Sequence, residues 1–154
     1  MIRLTVDGRE RSWDASPGDT LLDVLRREGV VGVKKGCGSG DCGACTVLLN
    51  GRAVNACLVL AARTNGDSVI TIEGIADGER LHPVQEAFLD VGAIQCGYCT
   101  PGMVLSAVGL LSRNPSPSEA EIREAISGNL CRCTGYVKQV EAIQLAAARM
   151  RGES

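Results

Sequence analysis

The chain is poor in aromatic residues: 154 residues contain one Trp, one Phe and two Tyr, 3% in all. Any core must therefore be built from Ala, Val, Leu and Ile. There is a single histidine, His82. A Rieske centre needs two histidines on one iron, and a His-Glu-x-x-His zinc protease needs a pair on one helix, so both are excluded. His82 stands just ahead of Pro83 at a predicted helix start and reads as a capping or solvent-facing residue rather than part of a Ser-His-Asp site. Basic blocks are missing too. Lys and Arg number 16 against 18 Asp and Glu, with no run beyond pairs such as Lys34-Lys35, which leaves nucleic-acid binding without support. No stretch approaches the roughly 18 apolar residues of a membrane span. The opening residues 1–8 carry charges where a secretory signal would be apolar, so the expectation is a cytoplasmic chain without a transmembrane segment.

Apolar residues make up 45% and charged residues 22%, which excludes a disordered chain. Eight cysteines are the dominant feature. They are too sparse for a secreted disulfide scaffold, and in a reducing compartment spaced cysteines more often hold metal or do redox chemistry. They form two sets: Cys37, Cys42, Cys45 and Cys57, then Cys96, Cys99, Cys131 and Cys133.

The pattern around the two sets differs. Up to about residue 75 it is strand-like. Ile2, Leu4 and Val6 alternate with polar residues, Asp7-Gly8 is a turn, and residues 10–15 return as a second strand. Thr20 caps a short helix over 21–28. Strands are predicted over 44–49, 52–55 and 69–72, with Asn50-Gly51 turning between the first two. After that the period is helical. Helices are expected over 82–91, 101–113 and 136–151, and another runs to Ser127 from a capping box of Ser118 with Glu121, a start at Ser116 with Glu119 also fitting. This is an α+β layout with a boundary between 75 and 76. The helical half repeats weakly, as helix, glycine-containing loop, cysteine pair, Thr, helix. We expect four antiparallel helices with a pseudo-twofold relation, their two thiol pairs converging at one end near helix starts capped at Thr100 and Thr134.

The first set reads C-x4-C-x2-C-x11-C, which matches plant-type [2Fe–2S] spacing. Gly36, Gly38, Gly40 and Gly43 allow the loop's backbone N–H groups to approach the sulfurs. A G-x-G-x-x-G match over residues 38–43 is interrupted by Cys42 and leads into a strand, so it is not a dinucleotide fingerprint. The second set, C-x2-C then C-x-C, suits a second iron–sulfur cluster or a four-thiolate zinc ion; spacing alone leaves both open.

Three segments together are highly specific: Gly36-Cys-Gly-Ser-Gly-Asp-Cys-Gly-Ala-Cys-Thr46, Gln95-Cys-Gly-Tyr-Cys-Thr-Pro-Gly-Met103 and Gly128-Asn-Leu-Cys-Arg-Cys-Thr-Gly-Tyr136. They resemble the small iron–sulfur subunits of the xanthine oxidase family of molybdenum hydroxylases, over essentially the whole chain. The resemblance implies a β-grasp, plant-type ferredoxin domain over 1–75 and a four-helix domain over 76–154, each binding one [2Fe–2S] cluster through its own four cysteines. It implies electron transfer between a molybdopterin centre, in its cytosine dinucleotide form, on a large subunit and FAD on a medium subunit or another acceptor. A heterotrimer, or a dimer of heterotrimers, follows from the same likeness, with no substrate site on this chain. Gln95 corresponds to a family glutamine that approaches the pterin. Gly38 departs from the pattern, since the residue after the first cysteine is often acidic in the family. Apolar residues near the cysteine loops, Ala93, Ile94 and Leu130, are expected to form a docking surface. A free-standing two-cluster ferredoxin and a zinc-stabilised adapter are the competing readings.

Overall fold

A computed structural model describes residues 1–153. The chain begins with a hairpin, β1 (Ile2–Val6) and β2 (Arg9–Trp13), turned by Asp7 and Gly8, both at positive φ. Alternation puts Ile2, Leu4 and Val6 on the inner face, each 4% exposed or less. Helix α1 (Leu21–Arg27) follows. Its start is a capping box: the Thr20 hydroxyl accepts from the Asp23 N–H, and the Asp23 carboxylate accepts from the Thr20 N–H. Strands β3 (Thr46–Leu49), β4 (Arg52–Asn55) and β5 (Ser68–Ile70) complete a five-stranded sheet in the order β2-β1-β5-β3-β4. Only the β1–β5 pair is parallel. Helix α1 lies over this sheet and buries Leu21, Leu22, Val24 and Leu25 in one apolar core with Val47 and Val69.

Three strands stop short of the bounds the sequence suggests: β2 ends at Trp13 rather than at residue 15, and the other two are cut for local reasons. The stretch predicted over 44–49 starts only at Thr46, because the Thr46 N–H and hydroxyl both donate back to the Gly43 carbonyl and hold 43–45 as a turn. The stretch over 69–72 ends at Ile70. There the Asp7 carboxylate takes both the N–H and the hydroxyl of Thr71, at 2.7 Å each, and the chain passes into a 3-10 turn, Ile72–Gly74.

The second half holds four helices: α2 (Pro83–Asp90), α3 (Thr100–Leu111), α4 (Glu119–Ala125) and α5 (Val137–Met150). His82 caps α2 through Nδ1, which accepts the Val84 N–H. Burial lowers its pKa, in keeping with a neutral ring whose Nδ1 is an acceptor. Ser118 and Glu121 form the expected box at α4. Helix α2 packs on α5 and α3 on α4, while α2 also meets α3 and α4 meets α5. Exchanging the α2–α3 pair with the α4–α5 pair maps each of these contacts onto another, as a pseudo-twofold relation requires, with α2–α5 packing more extensively than its mate α3–α4. A second apolar core, separate from the first, gathers Phe88, Met103, Ile122 and Ile143. Helix α3 is buried nearly all round because it also lies against β3 and β4, where Gly109 faces Leu48 and Ala53. No helix among the described residues is long and apolar enough to cross a membrane.

Candidate metal centres

The first four thiols lie where the turn before β3 meets the 3-10 turn Ala56–Leu58 after β4. Cys45 and Cys57 are inside the sheet core, 2% and 7% exposed, whereas Cys37 is at the surface. The loop 37–42 wraps its own sulfurs in backbone donors. The N–H groups of Ser39, Asp41 and Cys42 point at the Cys37 sulfur at 3.3–3.4 Å, and the Cys37 N–H points at Cys42 at 3.3 Å. The Ser39 and Cys42 bonds bring the Cys37 thiol down to about 6, so the thiolate is favoured near neutrality. Gly36 is required by proximity: a Cβ there would stand 2.6 Å from the Cys42 sulfur.

The other thiols meet in pairs. Burial, with Cys57 against it, pushes the Cys45 thiol up to about 11. Burial and the adjacent Cys131 push Cys99 up to about 12. Cys133 is raised by its hydrogen bond with Cys96. Sulfur pairs that resist losing a proton to water lose it readily to a cation, because a coordinated thiol is deprotonated. Cys45 meets Cys57, Cys96 meets Cys133 and Cys99 meets Cys131, while Cys37 and Cys42 are joined through each other's N–H groups, so each set would offer four thiolates to one cluster. The donor chemistry of both sets therefore fits a two-iron cluster.

The expected caps differ from what is found. Neither Thr100 nor Thr134 caps a helix through its side chain: α3 starts without a side-chain cap, and α5 starts only after Tyr136, which is left-handed at φ 72°. The Thr134 hydroxyl instead lies 3.0 Å from the Cys131 sulfur. Burial raises the Cys131 thiol, but this hydroxyl and the N–H groups of Cys133 and Thr134 outweigh it and lower its pKa. The Tyr136 hydroxyl accepts the Cys131 N–H at 2.7 Å and donates to the Asn129 carbonyl at 3.1 Å, which fixes the 129–131 loop.

The two sets abut. The Leu130 N–H donates to the Cys42 carbonyl at 2.8 Å, so one hydrogen bond joins a cysteine of the first set to the neighbour of a cysteine in the second. Beside it, the buried Asn129 side chain donates to the Gly43 carbonyl and to Thr46 Oγ1, and accepts from Ser106 Oγ at 2.8 Å. Tyr98, between Cys96 and Cys99, donates to the Lys35 carbonyl at 2.6 Å.

Residues 4–80 match the family model described as a 2Fe-2S iron-sulfur cluster binding domain, and residues 71–144 match a [2Fe-2S] binding domain. The small FeS subunit of nicotinate dehydrogenase from Eubacterium barkeri is 48% identical over 96% of this chain and 95% of its own. The xanthine dehydrogenase iron-sulfur-binding subunit of Escherichia coli O157:H7 is 44% identical over 92% and 91%. The chain belongs to the small iron–sulfur subunits of the xanthine oxidase family.

As such it is part of an oxidoreductase. Its fold is that of quinoline 2-oxidoreductase from Pseudomonas putida 86, with a TM-score of 0.92 and 44% identity over 99% of this chain and 97% of that one. It also matches the aldehyde oxidoreductase of Desulfovibrio desulfuricans, with a TM-score of 0.95 and 46% identity; there the subunit covers 99% of itself but spans only 17% of the longer chain.

Of the residues expected at a docking surface, Leu130 is 56% exposed, whereas Ala93 is 1% exposed and belongs to the helical core; its carbonyl is taken by Gln139. Gln95 is exposed beside Cys96. Sequence reasoning gave no role to Asn129, read Thr134 as a helix cap, and missed Tyr136 and Gln139. The first three sit inside a quoted motif, but the partners that give them a role lie far away in the chain or depend on an unusual backbone angle. Asn129→Ala in the subunit is expected to cost about 2–4 kcal/mol, because it strips three bonds and leaves buried Ser106 without its acceptor. Urea unfolding would check this, and a loss under about 1 kcal/mol would show the network to be dispensable.

Proposed function

We propose that this subunit conducts electrons one at a time, through two [2Fe–2S] clusters, between molybdopterin on a large partner subunit and FAD on a medium partner or another acceptor. Each two-iron cluster when bound accepts and releases a single electron. Cys37, Cys42, Cys45 and Cys57 would hold one, and Cys96, Cys99, Cys131 and Cys133 the other. The observation that carries this reading is the pairing of the eight cysteines two by two, in quartets joined by the Leu130 N–H to Cys42 carbonyl bond.

The residues divide the work. Buried Cys45 and Cys57 keep their side of the first centre from water, and the N–H groups around Cys37 offset negative charge on its sulfurs. Asn129, Leu130 and Tyr98 hold the two loops in contact, which keeps the through-bond route between quartets short. Exposed Gln95 and Cys96 are accessible to a pterin-bearing partner, and exposed Leu58, Tyr98, Leu130 and Val137 supply apolar area near the cysteine loops. The separate apolar cores support two domains, with Ile72 and Ile75 already packed on the helical core just ahead of the proposed 75/76 boundary, and cysteines committed to metal suit the reducing cytoplasm. The family likeness favours a heterotrimer or a dimer of heterotrimers, with the molybdopterin in its cytosine dinucleotide form.

The test is elemental. The chain isolated without oxygen is expected to contain about four irons and four inorganic sulfides, counted from two clusters of two each. It should co-purify with a larger chain that carries molybdenum. A colourless preparation with two zinc ions would overturn the proposal, and clusters without any partner would leave a free-standing carrier as the better reading.

A further inference from the structure

The two thiol quartets are hydrogen-bonded by different means. The Cys37 and Cys42 sulfurs receive main-chain N–H groups. The Cys131 sulfur also meets a side chain, the Thr134 hydroxyl at 3.0 Å. A cysteine bound to metal is a thiolate and can only accept, so the hydroxyl must be the donor.

Gln139 fixes that orientation. It is fully buried, and its Nε2 donates to Thr134 Oγ1 and to the Ala93 carbonyl, both at 2.8 Å. The Ala93 carbonyl can only accept, so the amide cannot be turned the other way round. One lone pair of the Thr134 oxygen is thereby occupied, and its proton is left to face the sulfur. The amide's own oxygen, Oε1, has no partner and is buried. A buried orphaned acceptor costs about 1–3 kcal/mol. The side chain therefore sits at a net local cost that its two donor bonds to the 93–134 loops offset, one of them spent on the hydroxyl beside a metal-binding sulfur.

We infer that Thr134, oriented by Gln139, sets the reduction potential of the helical-domain centre by donating a hydrogen bond to the Cys131 sulfur. Reduction adds one electron and breaks no bond. The added charge spreads onto the sulfurs, and a donor aimed at one of them stabilises the reduced form more than the oxidised form. Thr134 and Gln139 are positioning and tuning residues, not ligands. The inference rests on the two-cluster reading above.

The experiment is a redox titration of the full chain followed by EPR, with both reduced-cluster signals monitored. In Thr134→Val, which keeps the shape and removes the hydroxyl, the helical centre's equilibrium constant for reduction should fall about tenfold, equal to about 59 mV for one electron. The other centre should not move, and Thr134→Ser should restore the original value. Gln139→Leu leaves the hydroxyl free to rotate and should shift the potential in the same direction by less. An unchanged helical-centre potential in Thr134→Val would overturn the inference; if that variant fails to assemble, an unchanged potential in Gln139→Leu would do so. A wild-type chain with only one signal would instead sink the two-cluster reading itself.

Discussion

Gly43→Ala is expected to destabilise the protein by about 2–5 kcal/mol, the sum of a left-handed backbone penalty and overpacking against backbone. Gly43 has φ +69°, which costs a side-chain-bearing residue about 1–2 kcal/mol. A Cβ would also press into the Gly128 carbonyl oxygen and stand 2.7 Å from Asn129 Nδ2. These neighbours belong to the opposite cysteine loop, and Gly102 of α3 also crowds the Gly43 carbonyl. Main chain cannot move aside as a flexible side chain can, so the two halves must part. Gly51→Ala is the control. Gly51 also has positive φ, at +80°, but nothing lies within 4 Å of its would-be Cβ, so only the conformational cost of about 1–2 kcal/mol remains. Thermal or urea melts of the two variants separate the terms. If Gly43→Ala proved as mild as Gly51→Ala, the close packing of the loops would not matter to stability.

Replacing one cysteine of each quartet should give unequal results. Cys131→Ser is expected to abolish one of two EPR signals, because a serine hydroxyl is a poor substitute for thiolate on iron, and to leave the other intact. Cys131 is only half-buried at the edge of the helical core. Hydrogen exchange should therefore rise first in the 129–136 loop and the adjoining ends of α3 and α5. Each half of the chain is small enough to be marginal without metal, so the helices should loosen as a unit while the sheet keeps its protection. Cys45→Ser should be harsher. Cys45 lies within the sheet core at 2% exposure, and the substitution puts a hydroxyl there as well as removing a ligand. Loss of both signals in Cys131→Ser, or of neither, would break the assignment of ligands to quartets.

Much of this was legible in the linear chain because it is encoded locally. The Thr20–Asp23 and Ser118–Glu121 caps, the Asp7-Gly8 and Asn50-Gly51 turns and the change from strand to helix period each depend on residues within a few positions of one another. The errors fall where a distant partner overrides local preference. Asp7 ends β5 early by capturing Thr71, and the 129–131 loop holds Tyr136 out of α5. Ala93, expected at a surface, is buried because α5 brings Gln139 to its carbonyl.

The sequence by itself determined the family and the two kinds of half, and its cysteine spacing sorts the eight thiols into the two sets proposed as quartets, since spacing is a one-dimensional signal. Only the tertiary structure decided how the sulfurs pair within a quartet, which groups donate to them and how the quartets touch. Those relations join residues such as Asn129 and Gly43, which lie 86 positions apart. No local propensity records them; they exist only once two separately packed cores press their glycine-bearing loops together.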